Sequence, residues 1–335
     1  MDMETITQPT GNLAHLGILD TAFVDSDKAG LYDGLMAKCL CYYISSRATG
    51  DPRHTRQAKK LLSRVQQEIP MVEELGFGDG LAGIGWAVEW LVREGFVDAN
   101  TDEVLGDIDD TIYTSVVYSK TSGLSLDSGS TGKAFYFLAR LEARNSKRKR
   151  YRTICLLECL VLLSDEMSEA LKERLLESIR SQNSLVSQEC YTDIAQSLMI
   201  MLRLFKKKIN TGTTWESIVS AIPIIEQLIL AEIMNQTQLS VHPSINHLIY
   251  AYLSAKAMLQ KTGFTERSPL ISQYLSQMGL SAKTAQQATI DGWMSKTAVK
   301  KDCPAGATLV GYLKHIEPAS FDYYSEFFFV GRGNI

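Results

Sequence analysis

Apolar residues recur along the chain at helical spacing, in two different ways. In one kind of segment they fall on nearly every side. Leu81, Ile84, Trp86, Val88, Trp90 and Leu91 do so, the pattern of a helix buried all round. In the other kind one face is apolar and the other charged, as from Arg56 to Glu68, where Ala58, Leu61, Leu62 and Val65 keep the helical interval. The first pattern predicts inner helices and the second outer ones, so the chain reads as all-α.

The inner helices belong to a repeat. Gly30-Leu-Tyr-Asp-Gly-Leu-Met-Ala, Gly76-Phe-Gly-Asp-Gly-Leu-Ala-Gly and Ser125-Leu-Asp-Ser-Gly-Ser-Thr-Gly each open an apolar helix, running to Arg47, Val92 and Leu141. Placing Gly34, Gly80 and Gly129 in register gives spacings of 46 and 49 residues. Weaker copies follow at Cys190-Tyr-Thr-Asp-Ile-Ala, His242-Pro-Ser-Ile-Asn-His and Cys303-Pro-Ala-Gly-Ala-Thr, leading helices to Phe205, Lys256 and His315. Thr214 to Met234 and Ser268 to Met278 supply outer partners. Small residues at the helix starts let backbones converge, so these loops are not phosphate loops by default. Six hairpins of about 50 residues account for nearly all of residues 1–335 and predict one α/α toroid of about six inner and six outer helices. An aromatic tail, 321–335, seals it or meets a partner. With 8 Pro and no low-complexity run, no linker is evident.

Composition narrows the function. At 335 residues, 45% apolar and 21% charged, the chain is an ordinary globular one. Its net charge of -4 gives no reason to expect nucleic acid or a membrane surface as partner. Met1 to Gly17 lacks the features of a secretory leader, and no apolar stretch reaches the roughly 20 residues of a membrane helix, so a cytoplasmic protein is expected. The six cysteines are then reduced thiols.

The segments Gly76-Phe-Gly-Asp-Gly-Leu-Ala-Gly-Ile-Gly-Trp-Ala and Leu124-Ser-Leu-Asp-Ser-Gly-Ser-Thr-Gly-Lys-Ala resemble the glycine motif of the lanthionine synthetase C-like (LanC-like) family. That resemblance implies an α/α toroid that adds a peptide cysteine thiol to a dehydrated serine or threonine. It implies a zinc ion on two cysteines and a histidine, and precursor peptides or peptide-modifying enzymes as partners. Zinc matters because a thiol of pKa about 8.5 is mostly protonated at neutral pH, and coordination converts it to the thiolate. The family's ligands come from Trp-Cys-Tyr-Gly and Cys-His-Gly motifs. Here Pro304 follows Cys303 where the histidine belongs, and the Cys190-Tyr191 pair is followed by Thr192. The expectation is a divergent member that binds peptide in its central cleft, its cyclase activity lost or altered and no cofactor held.

Two alternatives use other residues. Cys190, His242 and Cys303 all stand two places before the repeat's reference position, a set of two thiolates and an imidazole suited to Zn²⁺ in a relocated cyclase site. Asp33 and Asp79 precede the reference glycine by one place and Asp127 lies nearby; as acid and base they would suit a glycosidase on a toroid. The plainer reading of these aspartates is helix N-capping. Cys39, Cys41, Cys155 and Cys159 read as buried small hydrophobes. His247, in register with Gly83 and Gly132, either reaches a central cavity or caps a loop. Lys147 to Arg152 reads as the solvated start of an outer helix, or as a dock for an acidic peptide leader.

Overall fold

The computed structural model describes residues 28–262, apart from 33, 122, 144, 146–149, 181–187 and 236–242, together with Ser276 and Ser281. Among them are ten α-helices and no strand: α1 (Leu35–Thr49), α2 (Pro52–Glu68), α3 (Leu81–Arg93), α4 (Thr101–Val104), α5 (Gly106–Tyr118), α6 (Ser130–Glu142), α7 (Arg150–Arg180), α8 (Gln188–Lys206), α9 (Thr211–Asn235) and α10 (Pro243–Lys261).

Local chemistry sets the boundaries. Gly50, at φ 70°, ends α1 in the left-handed conformation that costs glycine least. Asp51 then caps α2 by accepting the Arg53 amide at 2.8 Å, with Pro52 in the first turn, where its missing N–H costs nothing. Gly95, at φ 72°, stops α3, and its amide returns to the Val92 carbonyl at 3.0 Å.

The inner and outer patterns become two rows. In α3 ten of thirteen residues are buried and in α6 eleven of thirteen; in α2 only His54, Ala58, Leu61 and Val65 of seventeen are. The first row runs α1, α3, α6, α8, α10, each packed on the next. Behind it α2 covers α1, α5 covers α3, α7 covers α6, and α9 covers both α8 and α10. The rows meet in an apolar core, with Phe77, Trp86 and Phe135 clustered at centroid distances of 5.2 to 5.5 Å between α3 and α6. The sixth hairpin expected from Ser268 and Cys303 onward, and the tail 321–335, lie outside the described residues, apart from Ser276 and Ser281.

One segment, Thr211–Glu232 within α9, has the length and apolarity of a membrane span, with mean hydropathy 1.3. It packs on α7, α8 and α10, and 44% of that window is buried; one such helix, where the sequence reading expected none, is weak evidence either way.

Candidate functional site

The glycine repeat exists in the backbone. Gly34, Gly80 and Gly129 each stand immediately before a helix with extended dihedrals, φ from -94° to -117°. The next residue in each case donates its amide to the carbonyl seven places back: Leu35 to Lys28 (2.7 Å), Leu81 to Glu74 (2.9 Å) and Ser130 to Gly123 (3.2 Å). A Cβ on any of the three glycines would fall 2.4 to 2.7 Å from backbone atoms of its own loop. Only glycine closes the turn this tightly, a steric demand independent of any ligand.

The three loops also lie edge to edge. The amides of Leu31 and Tyr32 both donate to the Gly78 carbonyl at 3.0 and 3.1 Å, and the Gly78 amide donates to the Asp127 carbonyl at 3.1 Å. Gly76 approaches so closely that a Cβ there would sit 2.1 Å from the Asp127 carbonyl oxygen. Side chains follow the same stitching: Asp79 Oδ1 accepts the Tyr32 amide at 3.3 Å, and the Tyr32 phenol donates to the Asp127 carboxylate. Burial, the charge of Asp127 and that hydrogen bond, and then the charge of Asp79, hold the Tyr32 phenol neutral well beyond its ordinary range.

Asp79 and Asp127 thus share one rim with Tyr32 between them, both exposed. The residues immediately before α3 and α6 are glycines with no side-chain cap bond; Asp79 reaches across to the preceding loop, and Asp127 binds the Tyr32 phenol. Asp33 lies outside the described residues.

Of the three sulfur and imidazole positions, Cys190 alone is described. It stands three residues into α8, which begins at Gln188, so the register that placed it ahead of a helix start does not persist into the fourth repeat. Its thiol is buried 3.2 Å from Ser178 Oγ at the end of α7, and burial pushes its pKa up. His242 and Cys303 lie outside the described residues, among which no group of three His, Cys, Asp or Glu side chains is placed to hold a metal.

Among the remaining cysteines Cys39, Cys41 and Cys159 are buried as small hydrophobes, while Cys155 is partly exposed on α7. His247 is fully buried, so it does not cap a loop in solvent; burial pushes its pKa down to about 3. In the basic run, Arg150 opens α7 as an outer helix, but Arg152 is not merely solvated: its Nη1 donates to Asp109 Oδ2 at 2.7 Å.

That last contact belongs to a buried ionic hub with no counterpart in the sequence reading. Arg140, 0% exposed, donates Nε to both Asp109 oxygens (2.9 and 3.2 Å). Its Nη1 donates to Glu89 and to Thr101 Oγ1 (3.0 Å), and its Nη2 to Asp102 (3.0 Å) and Asp109 Oδ2 (2.8 Å). The Tyr136 hydroxyl donates to Asp109 Oδ1 at 2.6 Å. All five guanidinium donors have acceptors, as a buried guanidinium requires. The hub fastens α6 to α3, α4 and α5, so Arg140 is a structural cation with no donor left for substrate. Locally it is only a basic residue in the last turn of α6; the partners that define it lie 31 to 51 residues away.

Compared with known proteins, the chain matches no protein-family model, no curated protein and no solved structure.

Proposed function

We propose that this chain is a divergent helical toroid of the LanC-like kind that binds a peptide across the rim of its glycine loops, in a peptide-modification pathway of the cytoplasm. The observation that carries the reading is the stack of three loops of one geometry, joined by backbone bonds and presenting Asp79 and Asp127 around Tyr32 on a single exposed rim. Stacked repeats with one shared edge make the extended surfaces that repeat proteins offer to peptides. The alternation of an inner row and an outer row is what a toroid of hairpins requires. Two exposed carboxylates beside a phenol favour a peptide rich in hydrogen-bond donors or positive charge. The departure at Pro304, where a ligating histidine would stand in the family resembled, favours binding over zinc-dependent cyclisation.

The test is fluorescence anisotropy with labelled linear peptides rich in Ser, Thr and Cys, basic and acidic in composition, on the full chain and on an Asp79→Asn/Asp127→Asn variant, beside zinc analysis after exhaustive dialysis. The reading expects saturable binding of the basic peptides, weakened at least tenfold in the double variant, and no stoichiometric zinc. One zinc per chain that disappears in a Cys303→Ala variant would replace it with an active cyclase using the relocated site. No saturable peptide binding would remove it.

A further inference from the structure

A second recess lies at the other end of the same helices. Thirteen-residue helices rise about 18 Å, so the C-terminal turns of α3 and α6 are far from the glycine loops that open them. Between those turns and the segment before α4 is a partly open cavity of about 230 Å³. That is below the roughly 300 Å³ at which drug-sized sites begin and near the size of one long side chain.

Its walls have a definite chemistry. Trp86, Trp90, Val92, Ala139 and Ala143 make its lining largely apolar, the two tryptophans packed almost fully into the core behind it. Glu89, Asp98 and Glu142 bring three carboxylates to the lining against one guanidinium, Arg93, which is itself turned toward Glu94 at 3.5 Å. Glu142 is matched from outside by Arg203 (3.1 Å) and Lys207 (2.8 Å). Burial opposes its charge, and these cations together hold its pKa below the ordinary value. Glu89 is matched by Arg140 in the hub, so the remaining acidity comes from Asp98 on the exposed rim. Two helices also end here, and their last carbonyls carry the negative end of the helix dipole. The apolar lining, the Asp98 carboxylate and the helix C-termini together suit one kind of ligand: a cation with an apolar stem.

We propose that this cavity binds an alkylguanidinium or alkylammonium group, either free in a small amine or as the side chain of an arginine or lysine in a peptide. An anionic guest is disfavoured by Asp98 and the helix ends, and a neutral apolar guest would leave that negative end of the cavity without a counter-charge. This inference does not depend on the peptide-binding reading of the glycine loops, which lie at the opposite helix ends.

Calorimetric titration of the full chain with N-acetylarginine methylamide tests it, with the citrulline analogue as neutral isostere and N-acetylglutamate methylamide as anion. Saturable binding of the arginine probe is expected, at least tenfold tighter than the citrulline analogue, with no binding of the anion. Asp98→Asn, at an exposed position, should weaken binding several-fold with unchanged thermal stability. Ala143→Phe, which places a ring in the cavity from its edge, should abolish binding while the chain still binds peptides at the glycine loops. An arginine-containing hexapeptide that binds more than tenfold tighter than the amide would identify a peptide side chain as the guest; equal affinity would identify a free small cation. Absence of saturable binding to the wild-type chain, or equal binding of the citrulline analogue, overturns the proposal.

Discussion

Two buried side chains carry the strongest consequences at the scale of single residues. Arg140 is desolvated completely and holds Glu89, Asp102 and Asp109 through hydrogen bonds of 3.2 Å or less. Whether such a network stabilises relative to an apolar core is a separate matter from what happens when it is broken. Arg140→Met would leave three carboxylates facing one another around Arg152, at a cost of about 3 to 5 kcal/mol, read as a lower denaturation midpoint in urea. His247 makes a pH-dependent prediction. Its native pKa of about 3 lies below the unfolded value near 6.5, so between those limits the unfolded chain binds a proton that the native chain refuses. Its contribution is therefore intact above pH 6.5 and is lost as pH falls toward 3, with a total on the order of 5 kcal/mol. A His247→Leu chain should show a flatter stability profile across that window, measured by chemical denaturation at pH 7, 5.5 and 4.5. Equal slopes in the two proteins would mean that His247 is already charged or solvated in the native state.

At the scale of elements, the glycine turns explain which parts of the chain were legible. Gly80 has backbone atoms 2.6 Å from where a Cβ would be, whereas Gly212, in the first turn of α9, has nothing within 4 Å. Gly80→Ala should therefore destabilise by about 2 kcal/mol or more, in the range of steric core substitutions. Gly212→Ala should gain up to about 1 kcal/mol from helix propensity. Both follow from thermal unfolding of the single variants, and a neutral Gly80→Ala would mean the loop relaxes. Helices α1, α2, α3, α6, α8, α9 and α10 all stand within a few residues of where periodicity and the loops placed them, because burial all round and burial on one face leave different sequence patterns. Helix α5 was not legible. Its sequence opens on Gly106, carries Asp107, Asp109 and Asp110, and continues with β-branched residues, a combination of weak helix formers held in place by Ile108, Ile112 and Val116 in the core. The rim carboxylates were visible as a register, but their role was not. N-capping is a local rule, whereas Asp79 and Asp127 make contacts with Tyr32, 47 residues away in the chain for Asp79 and about twice as far for Asp127.

At the scale of the whole molecule, the question is whether the two rows close. In an open array each repeat touches only its neighbours, so removing a terminal unit costs little beyond one interface. In a ring the last hairpin touches both α10 and the first repeat, and its removal uncovers two apolar flanks at once. A chain ending at Thr262 distinguishes the two. If the toroid proposed above is correct, this truncated chain should lose about 10 °C or more in Tm, since each kcal/mol is worth roughly 2 to 4 °C at this size. It should also bind a hydrophobic dye strongly through the exposed flanks of α1 and α10. An open array predicts a shift of only a few degrees and dye binding confined to one end. The arginine-probe cavity, built from α3, α6 and the segment before α4, shares no residue with the deleted part. It therefore serves as an internal control: binding retained in a destabilised truncation indicates a broken ring around an intact centre, and binding lost with it indicates that the remaining rows do not hold their shape alone.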